Sequence, residues 1–327
     1  MRIVFAEMPE AAGRDLSIER QYLPADAHIE CFTYTGDPRA LIAACREADA
    51  IVTDYVPFDR DVLRQLKRCR IISVAATGWD CVDVSAAAEL GIRVSSVGEY
   101  CTNEVADHTL ALLLALNRKL PAYHRQVQAD HDWRWNEIQG VRRLAGQALG
   151  LVGFGRIGQA VCRRAQGFGL SVLAFDPLMD AAKTGRHGAR AVAFEELLAE
   201  ADIVSLHCNL DDTNRGLLNR AAFARMKRKP LLLNVARGAL IVEADLVEAL
   251  DRGLVSGAAL DVLAQDSPDL SRHPLAGRDD VLLTPHVAFY SESSLQDLRR
   301  ISVQNVRSFL EGRTDEVRLV PSPEGGT

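Results

Sequence analysis

Aromatic residues make up only 6% of this 327-residue chain, and methionine occurs four times. No apolar run approaches the roughly 20 residues needed to cross a bilayer, so a membrane-spanning role is not expected. The opening MRIVFAEMPE lacks both a basic leader and an apolar h-region, which points to a cytoplasmic protein. Seven cysteines (31, 45, 69, 81, 101, 162 and 208) are scattered without CxxC spacing. Several lie in apolar runs, where a reduced thiol behaves as a small hydrophobe, so neither a disulfide frame nor a metal cluster is expected. Charge of one sign is also missing. The 38 basic and 44 acidic residues are interspersed and sum to −6, leaving no basic face for direct nucleic-acid contact.

What the chain does have is 48% hydrophobic residues over a length sufficient for two cores. Short apolar runs at 2–6, 50–53 and 70–75 alternate with helical patterns at 38–48 and 59–67, the signature of βα units and a parallel sheet. Residues 103–118 (NEVADHTLALLLALNR) contain no internal Gly or Pro and read as a buried helix with Thr102 as N-cap. A polar, Trp-containing segment follows at 120–143. A second βα series then begins at Ala148, with strand-like runs at 149–152, 171–176, 202–208, 231–235, 257–262 and 281–284. Six such runs suit one doubly wound nucleotide domain. A final helical pattern at 293–309 precedes a Pro/Gly tail, 321–327, expected to be disordered.

The loop 153–158, GFGRIG, follows an apolar strand and precedes a helical run. Gly153 permits the tight turn, Gly155 leaves room for a pyrophosphate and Gly158 lets the helix pack closely, with Phe154, Arg156 and Ile157 between them. The amides and positive dipole end of the helix then suit phosphate. The next strand, SVLAFD, ends in Asp176, 18 residues beyond Gly158. A carboxylate there accepts bonds from ribose hydroxyls and repels a 2′-phosphate, favouring NAD over NADP.

Hydride transfer at a secondary alcohol needs a cation for the substrate carboxylate, an acid/base for the hydroxyl proton and a carboxylate to orient that base. Arg237 follows the strand PLLLNVA and precedes Gly238; its planar fork suits a carboxylate and a carbonyl oxygen together. His286 follows VLLTP, and its imidazole titrates near working pH. A structural histidine after a proline turn is the rival reading. His108, inside the apolar helix, reads as a packing residue.

With these motifs in view, the chain resembles the D-isomer-specific 2-hydroxyacid dehydrogenase family, and within it the CtBP-like branch. ATGWDCVD at 76–83, VGFGRIG at 152–158, HCNL at 207–210, NVARGAL at 234–240, GAALDV at 257–262 and TPHVAFYSE at 284–292 occur in the family's order. The resemblance implies two doubly wound parallel-sheet α/β domains, Rossmann-like, with the cofactor domain inserted into the substrate domain. Residues 1–99 and 291–327 are then the substrate domain, and 100–290 the NAD-binding domain.

It further implies that Arg237 binds substrate and His286 is the acid/base. In place of the family's usual glutamate stands Asp266, separated from Pro268 by Ser267. Either its loop bends inward to reach the histidine, or Asp266 is a solvated turn residue. The amides of Ala76, Thr77 and Gly78 resemble the turn that cradles the substrate carboxylate, and Phe289 resembles a pocket-shaping aromatic. Val74 stands where CtBP-like proteins can carry an arginine. Cys208, Asn209, Thr213, Val235 and Ala236 resemble positions lining NAD; His207, on the same stretch, reads as structural or cofactor-side. Asp261 resembles a contact of the nicotinamide carboxamide, and Thr102 approaches the nicotinamide. The family also implies a homodimer formed through residues 122–145, where Trp133 and Trp135 suit burial.

The expected partner is a small 2-keto or 2-hydroxy acid, with NAD(H) as cofactor. The alternatives are an NAD-sensing regulator of the CtBP kind, a dehydrogenase acting on another anion such as formate or phosphite, and a redox sensor using Cys81, Cys101 or Cys208.

Overall fold

The structure, a computed structural model, describes residues 1–13, 15–265 and 268–321, and only the backbone of Glu10. The tail 322–327 lies outside the described residues. The chain falls into two compact units, 1–100 with 291–327, and 101–290. Among the described residues no helix is long and apolar enough to cross a membrane.

The first unit is built on five parallel strands, β1 (Arg2–Glu7), β2 (His28–Thr33), β3 (Ala50–Thr53), β4 (Ile71–Val74) and β5 (Arg93–Ser96), in the order β2-β1-β3-β4-β5. Side chains alternate across a strand, so β1 feeds two cores. Val4 and Ala6 pack on one face with Leu41, Leu63 and Ile72. Ile3 and Phe5 pack on the other with Val303 and Val306. The latter pair comes from the helix Glu292–Leu310, so this face is covered only when the chain returns after residue 290. Polar staples fix the returning helix. Ser73 Oγ donates to the Ser302 carbonyl at 2.9 Å, and Asn305 Nδ2 to that of Ser96 at 3.2 Å. The buried Glu19 carboxylate accepts from Arg299 through Nε and Nη2, both at 2.7 Å. Ser291 starts the helix in a capping box with Ser294.

Among its described residues the second unit holds seven strands: β6 (Ala148–Val152), β7 (Ser171–Phe175), β8 (Arg190–Ala191), β9 (Ile203–Leu206), β10 (Leu231–Asn234), β11 (Gly257–Leu260) and β12 (Val281–Leu283). Their order is β12-β11-β10-β9-β6-β7-β8, and every pairing is parallel. The order reverses between β6 and β9, a topological switch point of the kind at which doubly wound sheets bind ligands. One face is packed by a core that includes Val204, Leu206, Leu232, Leu246 and Leu260. The helix Thr102–Asn117 contacts β10, β11 and the helix Arg156–Gly167.

Four details differ from the sequence reading. Cys101, not Thr102, is the N-cap, without a side-chain bond, and Thr102 is already helical. The segment after 118 begins with a helix, Leu120–Gln128, entered through Lys119 at φ 55°. Its polar composition hid it. The strand β2, half-exposed along its length as a sheet edge, and the two-residue β8 also went unread, because neither carries an apolar run.

Candidate active site

In a parallel sheet all carboxyl ends lie on one edge, so six loops of the second unit converge there. Gly153 follows β6, Asp176 follows β7, His207 follows β9, Arg237 follows β10, Asp261 follows β11 and His286 follows β12. The first three surround the switch point and the last three come from neighbouring strands.

Gly153 has φ 92°, and a Cβ there would stand 2.6 Å from the Cys208 amide nitrogen and the His207 carbonyl carbon. The turn is therefore closed to any other residue. A Cβ on Gly158 would meet the Gly153 carbonyl oxygen at 2.4 Å, whereas one on Gly155 would meet nothing within 4 Å. The space over Gly155 is thus open, and Gly155 is the N-cap of the helix Arg156–Gly167 with no side chain of its own to offer. An open cradle at a helix N-terminus fits a pyrophosphate. Phe154 is buried, its ring edge-on to that of His187 at 5.8 Å. The Asp176 carboxylate accepts from the Phe154 amide at 2.7 Å and the Leu178 amide at 2.8 Å, tying β7 to the glycine loop.

On the far side of the switch point, His207 Nε2 lies 2.8 Å from Ser205 Oγ, while its Nδ1 is buried with no partner. Burial pushes the imidazole pKa down to about 3, so the ring is neutral at pH 7. Burial likewise pushes the Cys208 thiol up to about 11, a setting for an inert thiol rather than a redox sensor. Asn209 and Thr213 lie on the exposed loop beyond. The Thr213 amide and hydroxyl both donate to Asp211, and the Asn209 carbonyl accepts from Asn214.

Arg237 is set by a residue the sequence reading passed over. Asn234 is fully buried; its Nδ2 donates to the Arg237 carbonyl at 2.9 Å and its Oδ1 accepts the Ala236 amide at 3.0 Å. The side chain thus imitates backbone and holds the turn Val235-Ala236-Arg237 in shape. A Cβ on Gly238 would strike the Leu263 carbonyl, so the loop after β11 closes directly over the arginine turn. Arg237 is half-buried and donates through Nη1 to the Ala236 carbonyl at 2.9 Å. An asparagine three residues before an arginine at a strand end was the available signal.

His286 has φ 51°, a left-handed conformation uncommon for a residue with a Cβ. Its amide donates to the Asp261 carbonyl at 2.8 Å and the Thr284 carbonyl at 3.1 Å. The Asp261 side chain, buried, accepts the amides of Val287 and Ala288, both at 2.9 Å, and the Thr284 hydroxyl at 2.5 Å. The Phe289 ring stands edge-on to the imidazole of His286, centroids 6.2 Å apart. His108, read from sequence as packing, places Nε2 3.1 Å from Thr284 Oγ1. Asp266 lies outside the described residues.

Ala76, Thr77 and Gly78 belong to the first unit, just past the carboxyl end of β4. Their turn is pinned by the Val97 amide on the Ala76 carbonyl at 3.1 Å and by Thr77 Oγ1 on the Gly98 carbonyl at 3.2 Å.

Comparison with known proteins adds to this geometry. The family model described as D-isomer specific 2-hydroxyacid dehydrogenase, NAD binding domain, matches residues 110–288. A hydroxypyruvate reductase of Blautia hydrogenotrophica is 35% identical over 292 residues, 86% of this chain and 90% of that one. A glycerate dehydrogenase of Methylorubrum extorquens is 31% identical over 97% of this chain and 98% of its own length. The structure of D-lactate dehydrogenase from Aquifex aeolicus, complexed with NAD and lactic acid, has a TM-score of 0.87 at 26% identity, covering 98% of this chain and all of that one. These relatives carry enzyme names. The reading of an NAD-sensing regulator gains no support from them, nor does the finer placement beside CtBP-like proteins.

Proposed function

This chain belongs to the D-isomer specific 2-hydroxyacid dehydrogenase family, and we propose that it reduces a small 2-keto acid, with hydroxypyruvate the first candidate, through Arg237 and His286. The convergence of Arg237, Asp261 and His286 from three neighbouring strands, on the edge that also carries the glycine loop, is the observation behind this reading. Hydroxypyruvate is chosen because the two curated relatives are named for it and for glycerate.

NADH, when bound over Gly155 and beside Asp176, supplies the hydride that C2 receives. The chain's own residues do the rest. The Arg237 guanidinium pairs with the substrate carboxylate and draws charge toward the carbonyl oxygen. The amides of the turn Ala76-Thr77-Gly78 are the proposed carboxylate cradle of the first unit, which is the proposed substrate domain. His286 gives its proton to the carbonyl oxygen as the hydroxyl forms, and takes one back in the reverse direction. Asp266 is the proposed carboxylate behind His286, and Thr102, Cys208, Asn209, Thr213, Val235 and Ala236 the proposed cofactor lining. Phe289, edge-on to His286, is the proposed pocket-shaping aromatic.

The same reading makes the protein a cytoplasmic homodimer. Among the described residues no disulfide joins the cysteines, which suits a reducing compartment. Trp133 and Trp135 are 88% and 84% exposed in the single chain, on a segment that also exposes Leu120. Large apolar groups exposed on one segment suit an interface. Light scattering should give twice the chain mass of 35.8 kDa; a monomer would remove this part of the reading. The functional test is NADH oxidation with hydroxypyruvate and chiral analysis of the glycerate formed. D-glycerate supports the proposal, and no consumption of hydroxypyruvate or other small 2-keto acids opposes it.

A further inference from the structure

The loop that presents His286 is held by one buried carboxylate, and that carboxylate is reached from outside the loop. Asp261 Oδ1 accepts the Thr284 hydroxyl at 2.5 Å and the Val287 amide at 2.9 Å, and Oδ2 accepts the Ala288 amide at 2.9 Å. A carboxylate only accepts, so the Thr284 proton points at Asp261 and its oxygen is left as an acceptor. His108 Nε2 lies 3.1 Å from that oxygen and 3.6 Å from Asp261 Oδ1. Facing two acceptors, Nε2 carries a hydrogen. His108 stands on the helix Thr102–Asn117, 176 residues earlier in the chain, with its side chain 23% exposed.

We propose that His108 is a positioning residue for hydride transfer: its Nε2–H completes a directed chain, His108 to Thr284 to Asp261, that fixes the backbone of His286. This rests on the reading of His286 as the acid/base. Bonds among residues 260 to 290, at the ends of the two strands, hold the His286 loop in shape. His108 brings a donor from a helix packed against β10, β11 and β12, and so ties the loop to the body of the unit. The left-handed backbone at His286 needs such over-determination, since a residue with a Cβ relaxes out of that region when its surroundings loosen. A histidine serving only to fill space would be replaceable by any side chain of its volume. One serving as a donor is replaceable only by another donor.

Nitrogen-15 NMR of the imidazoles, with His108 assigned through His108→Gln, tests the chain without any substrate. The neutral Nε2–H tautomer, shifted by Thr284→Val, is expected; an Nδ1–H tautomer overturns the proposal. Kinetics test the function. His108→Leu keeps volume and loses the donor, and should lower kcat with hydroxypyruvate by about ten-fold, as a small misplacement of an acid/base does, leaving the Kd for NADH and the Tm near those of the wild type. His108→Gln restores a donor and should recover most of that loss. Adding His108→Leu to Thr284→Val should cost nothing more than Thr284→Val alone. Equal impairment by Leu and Gln, or additive losses, contradicts the proposal. Should His108→Leu fail to fold, the tautomer and the His108→Gln and Thr284→Val comparison still decide. A wild type inert to hydroxypyruvate counts against the functional reading alone, because the tautomer is read without it.

Discussion

The amide of His286 donates to the main-chain carbonyl of Asp261 at 2.8 Å, so the loop after one strand is fastened to the end of its neighbour. The Asp261 side chain repeats the connection with two amides and a hydroxyl. Asp261→Asn turns one acceptor into a donor that faces a donor. It should destabilise the protein by about 1–3 kcal/mol, the cost of leaving a buried polar group unsatisfied. Turnover should fall further than NADH affinity does. Urea denaturation beside single-turnover kinetics checks both, and an unchanged unfolding midpoint would remove Asp261 from the anchoring role.

In its proposed role Arg237 acts through the shape of its fork as well as its charge. Arg237→Lys keeps the charge and loses the bidentate geometry. The KM for a 2-keto acid should rise at least about ten-fold with kcat reduced, while NADH binding, followed by fluorescence, stays as it was. A lysine variant with wild-type KM would show that charge alone suffices.

Acid should weaken the fold through His207. Its folded pKa, about 3, lies below the ordinary value of 6.5. Between those values the unfolded chain takes up a proton that the folded protein does not. Stability therefore falls as pH drops through this window, by up to about 1.4 kcal/mol per pH unit. His207→Asn should flatten the dependence between about pH 6.5 and pH 4.5, measured by urea unfolding at several pH values. An identical slope in the variant would assign the acid sensitivity to other groups.

Asp176 both closes the glycine loop, through the Phe154 amide, and places its carboxylate where the ribose hydroxyls are expected. Asp176→Ser should cut the preference for NADH over NADPH by about ten-fold or more, the effect of removing one close charge, and lower the Tm. The ratio of kcat/KM for the two cofactors measures it. A preference unchanged by the substitution would place the discrimination elsewhere.

Much of this arrangement was legible before any coordinates, because parallel α/β sheets convert order along the chain into place. Once residues 149–152, 231–235 and 281–284 read as strands, Gly153, Arg237 and His286 had to share one edge. What escaped was set by contacts between distant segments. Asn234 looks like any polar residue at a strand end until its two bonds across the Arg237 turn are seen. His108 lies on an apolar helix, and only the packing of that helix reveals that it meets Thr284. The helix Leu120–Gln128 is mostly polar, so no apolar periodicity announced it.

The most direct test is NADH oxidation by the purified protein against a panel of small 2-keto acids, with wild type and His286→Ala side by side and NADPH as the control cofactor. The proposed role of His286 predicts turnover with NADH, lost by a factor on the order of 10² to 10⁴ in the variant, as befits removal of a general acid, with NADH still bound. Wild-type turnover that survives in His286→Ala would contradict it.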